Sequence, residues 1–391
     1  MELPLPLNLD PHSPELAAAI ASLPESRGVY SFSLAGNLVP HLGWSLNLRR
    51  RLTRLLIPSY TVGEHGLARH FQKAVSVSCW PAGSRLEASL LLYLVTRQHF
   101  PEDYLKRLRL RLPWFLALDS LDAFPRLEIV NRPRRRHTNA YGPFFSRDLA
   151  QTYEQEIEAL FQVRRCTETL APSPDHPGCI YGEMNQCLRP CQCAVSREEY
   201  AAEVLRLDEF LATNGKTATA ALTTARERAA HELDFEQAAQ LHKRLEKVND
   251  AIASRDSVIA PLDNFNGVAL TRGIVEQECR LWPMQAGCWQ NPLVLHFNTM
   301  QPGARSLDQE LREKLAQSLA APTSAAPAAQ QRIEHLAVFS RWYYSSWREG
   351  HWFPFHKIED LNYRRLVREI SNLTRSHSSP FGVKDHNSLI P

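Results

Sequence analysis

Gly28 to Leu52 reads GVYSFSLAGNLVPHLGWSLNLRRRL. Alternation over Gly28–Leu34 predicts a strand, Ala35, Gly36 and Asn37 a turn, and Leu38–Gly43 the returning strand. Ser45 is the expected N-cap of a helix through Leu56, with Leu48, Leu52, Leu55 and Leu56 apolar at helical spacing. This hairpin and helix set Tyr30 on one strand, His41 on the next, and Arg49, Arg50, Arg51 and Arg54 on the helix. A phenol, an imidazole and several guanidinium groups so arranged can bind and attack a phosphodiester.

The surrounding sequence extends the motif into a small mixed α/β unit over residues 1–105. Pro14–Leu23 reads as a short helix capped by Ser13. Lys73–Trp80 reads as a third strand, and Arg85–His99 as a second helix stopped near Pro101. Residues 106–200 carry strands at Trp114–Leu118 and Arg126–Asn131, then a basic loop, the run YGPFF at Tyr141–Phe145, and a helix over Asp148–Phe161. A cysteine-rich loop runs from Cys166 to Cys193. Residues 201–255 are helical in pattern, and 256–391 form a smaller C-terminal α/β region with an Ala/Pro-rich stretch at 319–331. Trp342, Tyr343, Tyr344 and Trp347 read as core of that region. The fold class expected is therefore α/β plus α.

The chain has 391 residues, 44% hydrophobic and 22% charged, with a net charge of +3. That balance suits several packed domains and gives no global argument for a polyanionic partner. The basic residues are clustered, however. Arg49–Arg54 is followed by Lys106, Arg107, Arg109 and Arg111, then by Arg132, Arg134, Arg135 and Arg136. Such patches steer nucleic acid locally. No apolar run is long enough for a transmembrane helix, and the N-terminus lacks the pattern of a signal peptide, so a cytoplasmic protein is expected.

The eight cysteines are too few for a disulfide framework in a chain this long. Cys166, Cys179, Cys187 and Cys191 are separated by twelve, seven and three residues. Four thiolates in one polar loop can hold zinc tetrahedrally or an iron–sulfur cluster. His176 could replace one of them around zinc. Cys193 lies too close to Cys191 for both to join one set. Cys79, Cys279 and Cys288 read as isolated thiols. Further on, Thr217–His231 and Asp234–Asp250 form a tight helical pair. Its stripe of Phe235, Ala238, Ala239, Leu241, Leu245 and Val248 needs a surface to face, within the chain or on a partner.

Taken in order, these segments carry a resemblance. GVY, the strand end at Gly43 and NLRRR at Asn47–Arg51 resemble a GIY-YIG nuclease domain. FPRLEIV, YGPFF, FQVRRC, CIYGEMNQCLRPC and SREEYAAEV resemble the middle of the bacterial excision-repair nuclease subunit UvrC. HELDFEQAAQLHKRLEKV resembles the UVR motif by which UvrC docks on UvrB. The resemblance implies a [4Fe–4S] cluster on Cys166, Cys179, Cys187 and Cys191, with zinc the alternative, and a UvrB-type partner bound through Phe235, Ala238, Ala239, Leu241 and Leu245. It also implies damaged double-stranded DNA held by Arg49, Arg50, Arg54, Arg134, Arg135 and Arg136.

Within the nuclease-like part, Tyr30 matches the first family tyrosine and Arg51 the catalytic arginine. His41 replaces the second tyrosine, and Trp44 stands where lysine is usual. EASLLLYLVTRQHFP aligns with the family's second helix so that the metal-binding glutamate falls on Leu92. Glu87 lies five residues earlier, about 7.5 Å along the axis and roughly 140° around it. The expectation is a degenerate site of Tyr30, His41 and Arg51 without catalytic metal. Mg²⁺ or Mn²⁺ would be needed only if the site were active, making a single 3′-side incision. The chain ends before the family's RNase H-type and helix–hairpin–helix domains, so 5′ incision is expected to be absent. An adaptor without a DNA role is the third reading.

Overall fold

The structure, a computed structural model, describes residues 1–36, 39–57, 73–119, 121–134, 137–296, 306–320 and 329–375. Three antiparallel sheets and a set of helices make a mixed α/β fold. In the first sheet the order is β1 (Leu7–Leu9), β4 (Ala74–Ala82), β2 (Arg27–Leu34) and β3 (His41–Ser45). Helices α1 (Leu16–Ala21) and α2 (Leu48–Leu56) flank it, and α3 (Arg85–His99) leads on to the short α4 (Tyr104–Leu108).

The second sheet runs β6 (Leu127–Val130), β5 (Trp114–Asp119), β7 (His137–Phe144) and β8 (Ala260–Pro261). Helix α5 (Arg147–Glu158) follows β7, and α6 (Ile180–Glu183) is a single turn inside the cysteine loop. Three helices come next: α7 (Arg197–Thr213), α8 (Lys216–His231) and α9 (Phe235–Ser254). The third sheet is ordered β11 (Cys288–Trp289), β10 (Glu278–Gln285), β9 (Asn266–Arg272) and β13 (His351–Phe355), and β12 (Leu293–His296) also pairs with β10. It packs with α10 (Leu307–Ala320), α11 (Ala329–Tyr343) and α12 (Tyr363–Arg375). Among the described residues no helix is long and apolar enough to cross a membrane.

Strand parity decides what each face of the first sheet meets. Tyr30 and Phe32 of β2 join Leu48, Leu52, Leu55 and Leu56 of α2 in one core. Val29 joins Trp80 and Ala82 of β4 and Ala88, Leu91 and Val95 of α3 in another. The two helices therefore cover opposite faces of the sheet. Helix α3 has a second apolar side. Its Leu86, Leu90 and Tyr93 enter the large core that also holds Phe115, Phe210, Trp282, Trp289 and Phe339. A helix apolar all round is a buried helix, and α3 is the hub between the first sheet and the rest of the chain. Each fully buried leucine there contributes about 1.5–3 kcal/mol.

Polar contacts seal the same junction. Glu87 is 2% exposed, ion-pairs with Arg280 of β10, and accepts from the Gly83 backbone N–H at 2.8 Å. Glu334 on α11 accepts from the Tyr93 hydroxyl at 2.7 Å and the Tyr104 hydroxyl at 2.6 Å. Gly83 lies so close to Gly273 that a Cβ there would meet its backbone carbonyl at 2.2 Å.

Several local expectations are corrected. The first helix is shorter than Pro14–Leu23, because the Ser13 hydroxyl accepts from Glu15 N within a turn and the helix starts at Leu16. Ser45 is not the N-cap of α2. The strand continues through Ser45, and extended Asn47 caps the helix by accepting from Arg50 N at 2.9 Å. The returning strand is His41–Ser45 instead of Leu38–Gly43, with Trp44 paired opposite Val29. The run YGPFF, to which the sequence assigns no secondary structure, falls at the end of a strand, β7, that runs from His137 through Phe144. Trp342 is buried, and Tyr343, Tyr344 and Trp347 pack against the main core, as expected. Most of the Ala/Pro-rich stretch, residues 321–328, lies outside the described residues, as do Arg135 and Arg136.

Candidate functional site

The face of the first sheet under α2 carries the nuclease-like residues. Tyr30 and Gly43 are directly opposed across the β2–β3 ladder, and His41 is opposed to Phe32 on the same face. The Tyr30 ring lies over Gly43, where a Cβ would meet its hydroxyl at 2.4 Å, so only glycine leaves the ring its place. Arg51 donates from Nε to the Tyr30 hydroxyl at 3.3 Å. Tyr30, His41 and Arg51 thus share one face, with the tyrosine only 3% exposed. The accessible chemistry there is cationic: Arg50 and Arg54 stand exposed on α2, while Arg49 donates to the Leu23 carbonyl at 2.6 Å and pairs with Glu25 at 2.9 Å.

Leu92 sits elsewhere. Like Leu3 and Leu42, it packs against the apolar cluster of Val29, Leu91 and Val95, on the sheet face turned away from Tyr30. Glu87, the one acidic residue on this helix, is held by Arg280 and the Gly83 N–H and is not offered to solvent.

The second basic segment is exposed, and one of its arginines is engaged within the chain. Arg107 pairs with Asp103 at 2.9 Å and stacks 3.9 Å over the Phe100 ring. Arg132 and Arg134 are exposed at the end of β6. Beside them, Trp114, Ile129, Val130 and Ile333 line an open groove.

The cysteine loop is irregular except for α6 and one 3₁₀ turn at Pro190–Gln192. Cys187 and Cys191 are 6% and 7% exposed. Burial pushes the Cys187 thiol above its ordinary range, and the charges of Cys179, Cys166 and Cys191 push it further. Burial raises Cys191 as well, with Cys179 and Cys166 adding to it. Burial and like charge thus both favour the thiol over the thiolate at these two positions. Among the described residues, no three ligating side chains stand as a closed metal-binding group. The donor set suits a soft, thiolate-bound group, and the Arg189 backbone N–H already donates to Cys187 Sγ at 3.4 Å. Cys193 is exposed in a left-handed backbone conformation, and the His176 Nδ1 accepts from Gly178 N at 3.0 Å.

One residue that sequence reasoning missed holds this loop. Arg164 is 4% exposed and bonds to Asp122, Phe124, Cys166 and Glu168. Burial works against its charge, but its bonds to Cys166 and Asp122 leave its pKa above the ordinary value. The only signal in the sequence was the tandem Arg164–Arg165 directly before Cys166.

In the helical pair, α8 and α9 pack along each other, and Asp234 caps α9 by accepting from Gln237 N at 3.0 Å. The expected partner stripe divides. Leu245 is 8% exposed and Val248 4%, so that end is buried within this chain. Leu241 and Ala238 are half-buried, Ala239 is exposed, and Phe235 is 70% exposed. Leu233, in a left-handed conformation at the tip, is 71% exposed beside it.

Residues 113–210, from β5 through the cysteine loop into α7, match the family described as UvrC/Cho excinuclease, middle domain. The chain is 29% identical over 261 residues to UvrABC system protein C of Nitratidesulfovibrio vulgaris, an alignment covering 66% of this chain and 37% of that protein. It is 30% identical over 243 residues to the same-named protein of Sphingopyxis alaskensis (61% and 36%), and 24% identical over 263 residues to that of Moorella thermoacetica (66% and 41%). The chain is UvrC-like across about two thirds of its length, and it spans only about two fifths or less of these relatives. No solved structure matches it.

Proposed function

We propose that this chain is a cytoplasmic nucleotide-excision-repair protein of the UvrC type. In this reading it binds damaged duplex DNA and a UvrB-type partner, and its GIY-YIG-like domain does not hold a catalytic metal. The observation that carries the reading is the middle-domain match, which contains the cysteine loop, lying between a nuclease-like face and a UVR-like hairpin. Arg50, Arg54 and Arg134 are exposed cations that would meet phosphates, with Arg49 lending part of its charge and Arg135 and Arg136 continuing the basic loop. Phe235, Ala239 and the half-buried Ala238 and Leu241 would meet the partner.

Cys166, Cys179, Cys187 and Cys191 would hold a [4Fe–4S] cluster, with zinc the alternative occupant. The group would supply the core that the loop otherwise lacks. Metal-assisted phosphodiester hydrolysis needs a carboxylate beside the cation that binds the phosphate. Leu92 and the Arg280-bound Glu87 support the reading that none is offered near Arg51.

The contact of Arg51 with Tyr30, and His41 on the same face, favour a second reading in which one incision survives. One assay separates them. Damaged duplex is incubated with this chain, UvrA, UvrB, ATP and Mg²⁺ or Mn²⁺. The first reading expects DNA binding that weakens with salt and no nicking. Metal-dependent nicking that disappears in Arg51→Ala establishes the second.

A further inference from the structure

Among the four loop cysteines, Cys166 stands apart. Twelve residues separate it from Cys179, whereas Cys179, Cys187 and Cys191 follow one another closely around α6 and the 3₁₀ turn. Like Cys179 it is only partly buried, and like Cys179 and Cys187 it lies in no helix or strand. Its place is set by a contact from outside the loop's own secondary structure.

The side chain of Arg164, 5% exposed, does so with every arm of its guanidinium engaged. Nε donates to the Phe124 carbonyl at 2.6 Å. Nη2 donates to Asp122 Oδ2 at 2.5 Å. Nη1 donates to the Cys166 carbonyl at 3.2 Å, to the Glu168 carbonyl at 3.0 Å, and to Cys166 Sγ at 3.7 Å. The backbone N–H of Arg164 donates to the Tyr200 hydroxyl at 2.9 Å, and that hydroxyl donates to the Pro125 carbonyl at 2.8 Å. The β5–β6 connection, the first turn of α7 and the start of the cysteine loop thus meet on one buried cation.

Backbone anchoring alone would need no bond to sulfur. Here the same Nη1 that fixes the Cys166 carbonyl also faces its Sγ, so position and charge of that sulfur are set together. A hydrogen bond from a cation stabilises a thiolate, and such bonds to cluster sulfurs raise the reduction potential. The rigid five-donor fork is what makes these simultaneous bonds possible; a lysine ammonium keeps the charge and loses the fork. Arg165 is a natural comparison. It donates to Gln186 and to the Glu158 carbonyl and pairs with the Glu158 carboxylate, so it also braces the loop, but it makes no bond to sulfur.

Resting on the reading of Cys166, Cys179, Cys187 and Cys191 as a ligand set, we infer that Arg164 is the positioning residue of this centre. It orients Cys166 toward the other three thiols, and its N–H···S bond governs how firmly the bound group is retained and where its potential lies.

The test uses the full chain purified without oxygen, with iron, sulfide and zinc measured per chain. Release of metal to a chelator and the reduction potential are then compared for wild type, Arg164→Lys, Asp122→Asn and Arg165→Lys. Arg164→Lys is expected to retain metal about tenfold less well, or worse, and to shift the potential to lower values. Asp122→Asn, which leaves Arg164 in place but loosens one arm, is expected to move both in the same direction by less. Arg165→Lys is expected to leave the potential unchanged. If zinc is the occupant, release rate alone carries the comparison.

A metal-loaded wild type whose folded Arg164→Lys variant matches it in release and potential overturns the role of Arg164 and leaves the ligand set standing. If Arg164→Lys does not fold, Asp122→Asn decides: behaviour equal to Arg165→Lys overturns the inference. A wild type that binds neither iron nor zinc overturns the ligand set itself, and the inference with it.

Discussion

Single residues carry most of what distinguishes this chain. Leu92 could be read from sequence because Pro101 fixes the register of α3, and the structure adds that it packs against the apolar cluster of Val29, Leu91 and Val95. The fate of Glu87 could not, because its partner Arg280 lies 193 residues away. His335 was equally silent in the sequence. It is fully buried on α11, its Nδ1 accepts from Trp289 N at 3.0 Å, and its Nε2 has no hydrogen-bond partner among the described residues. Burial, helped by the N-terminal amine and Arg97, drives its pKa down to about 3. A depressed folded pKa means that the stabilising contribution is full above the ordinary histidine value and is lost as pH falls toward 3. The melting temperature of the whole chain is therefore expected to drop as pH falls from about 6.5 to 4. His335→Asn keeps an acceptor for Trp289 and should flatten that slope, even if it lowers stability at neutral pH. An unchanged slope by calorimetry would contradict the assignment.

At the scale of elements, the α8–α9 hairpin was legible as helices, since its alanines, cap and apolar stripe are local features. Which part of the stripe is used internally was not, because that depends on where α9 meets the body of the chain. The division at Leu241 predicts two different phenotypes. Phe235→Ala combined with Ala239→Glu should leave the melting curve within about 0.5 kcal/mol of wild type, as exposed changes usually do, while abolishing capture of UvrB. Leu245→Ala should instead cost about 2–5 kcal/mol of stability, measured by urea unfolding. Capture of UvrB unaffected by the double variant would remove the hairpin tip as a docking surface. The cysteine loop shows the same contrast. The spacing of its cysteines was plain in the sequence, whereas Asp122, Phe124 and Tyr200, which hold Arg164 and so the loop, come from segments that spacing cannot connect.

Across the whole molecule, the expectation of a mixed α/β fold with helices agrees with the three antiparallel sheets, but the dependence of one region on another was hidden. Helix α3 shares its residues between two cores, and Arg27 and Arg85 both reach Glu349 near β13, at 2.6 and 3.8 Å. Gly83 and Gly273 touch backbone to backbone at the same seam. Gly83→Ala is expected to force that seam apart at a cost of about 1–3 kcal/mol, and to split a single unfolding transition into two. A variant that still unfolds in one step at the wild-type midpoint would show that the seam is not what couples the regions. The seam also bears on any attempt to dissect the protein. Cutting out residues 1–105 as a stand-alone fragment would strip Leu86, Leu90 and Tyr93 of their cover and release Glu87 from Arg280. Such a fragment would expose a greasy helix flank and carry a freed carboxylate that the intact chain keeps locked away. Any metal dependence it displayed would then belong to the fragment and not to the parent.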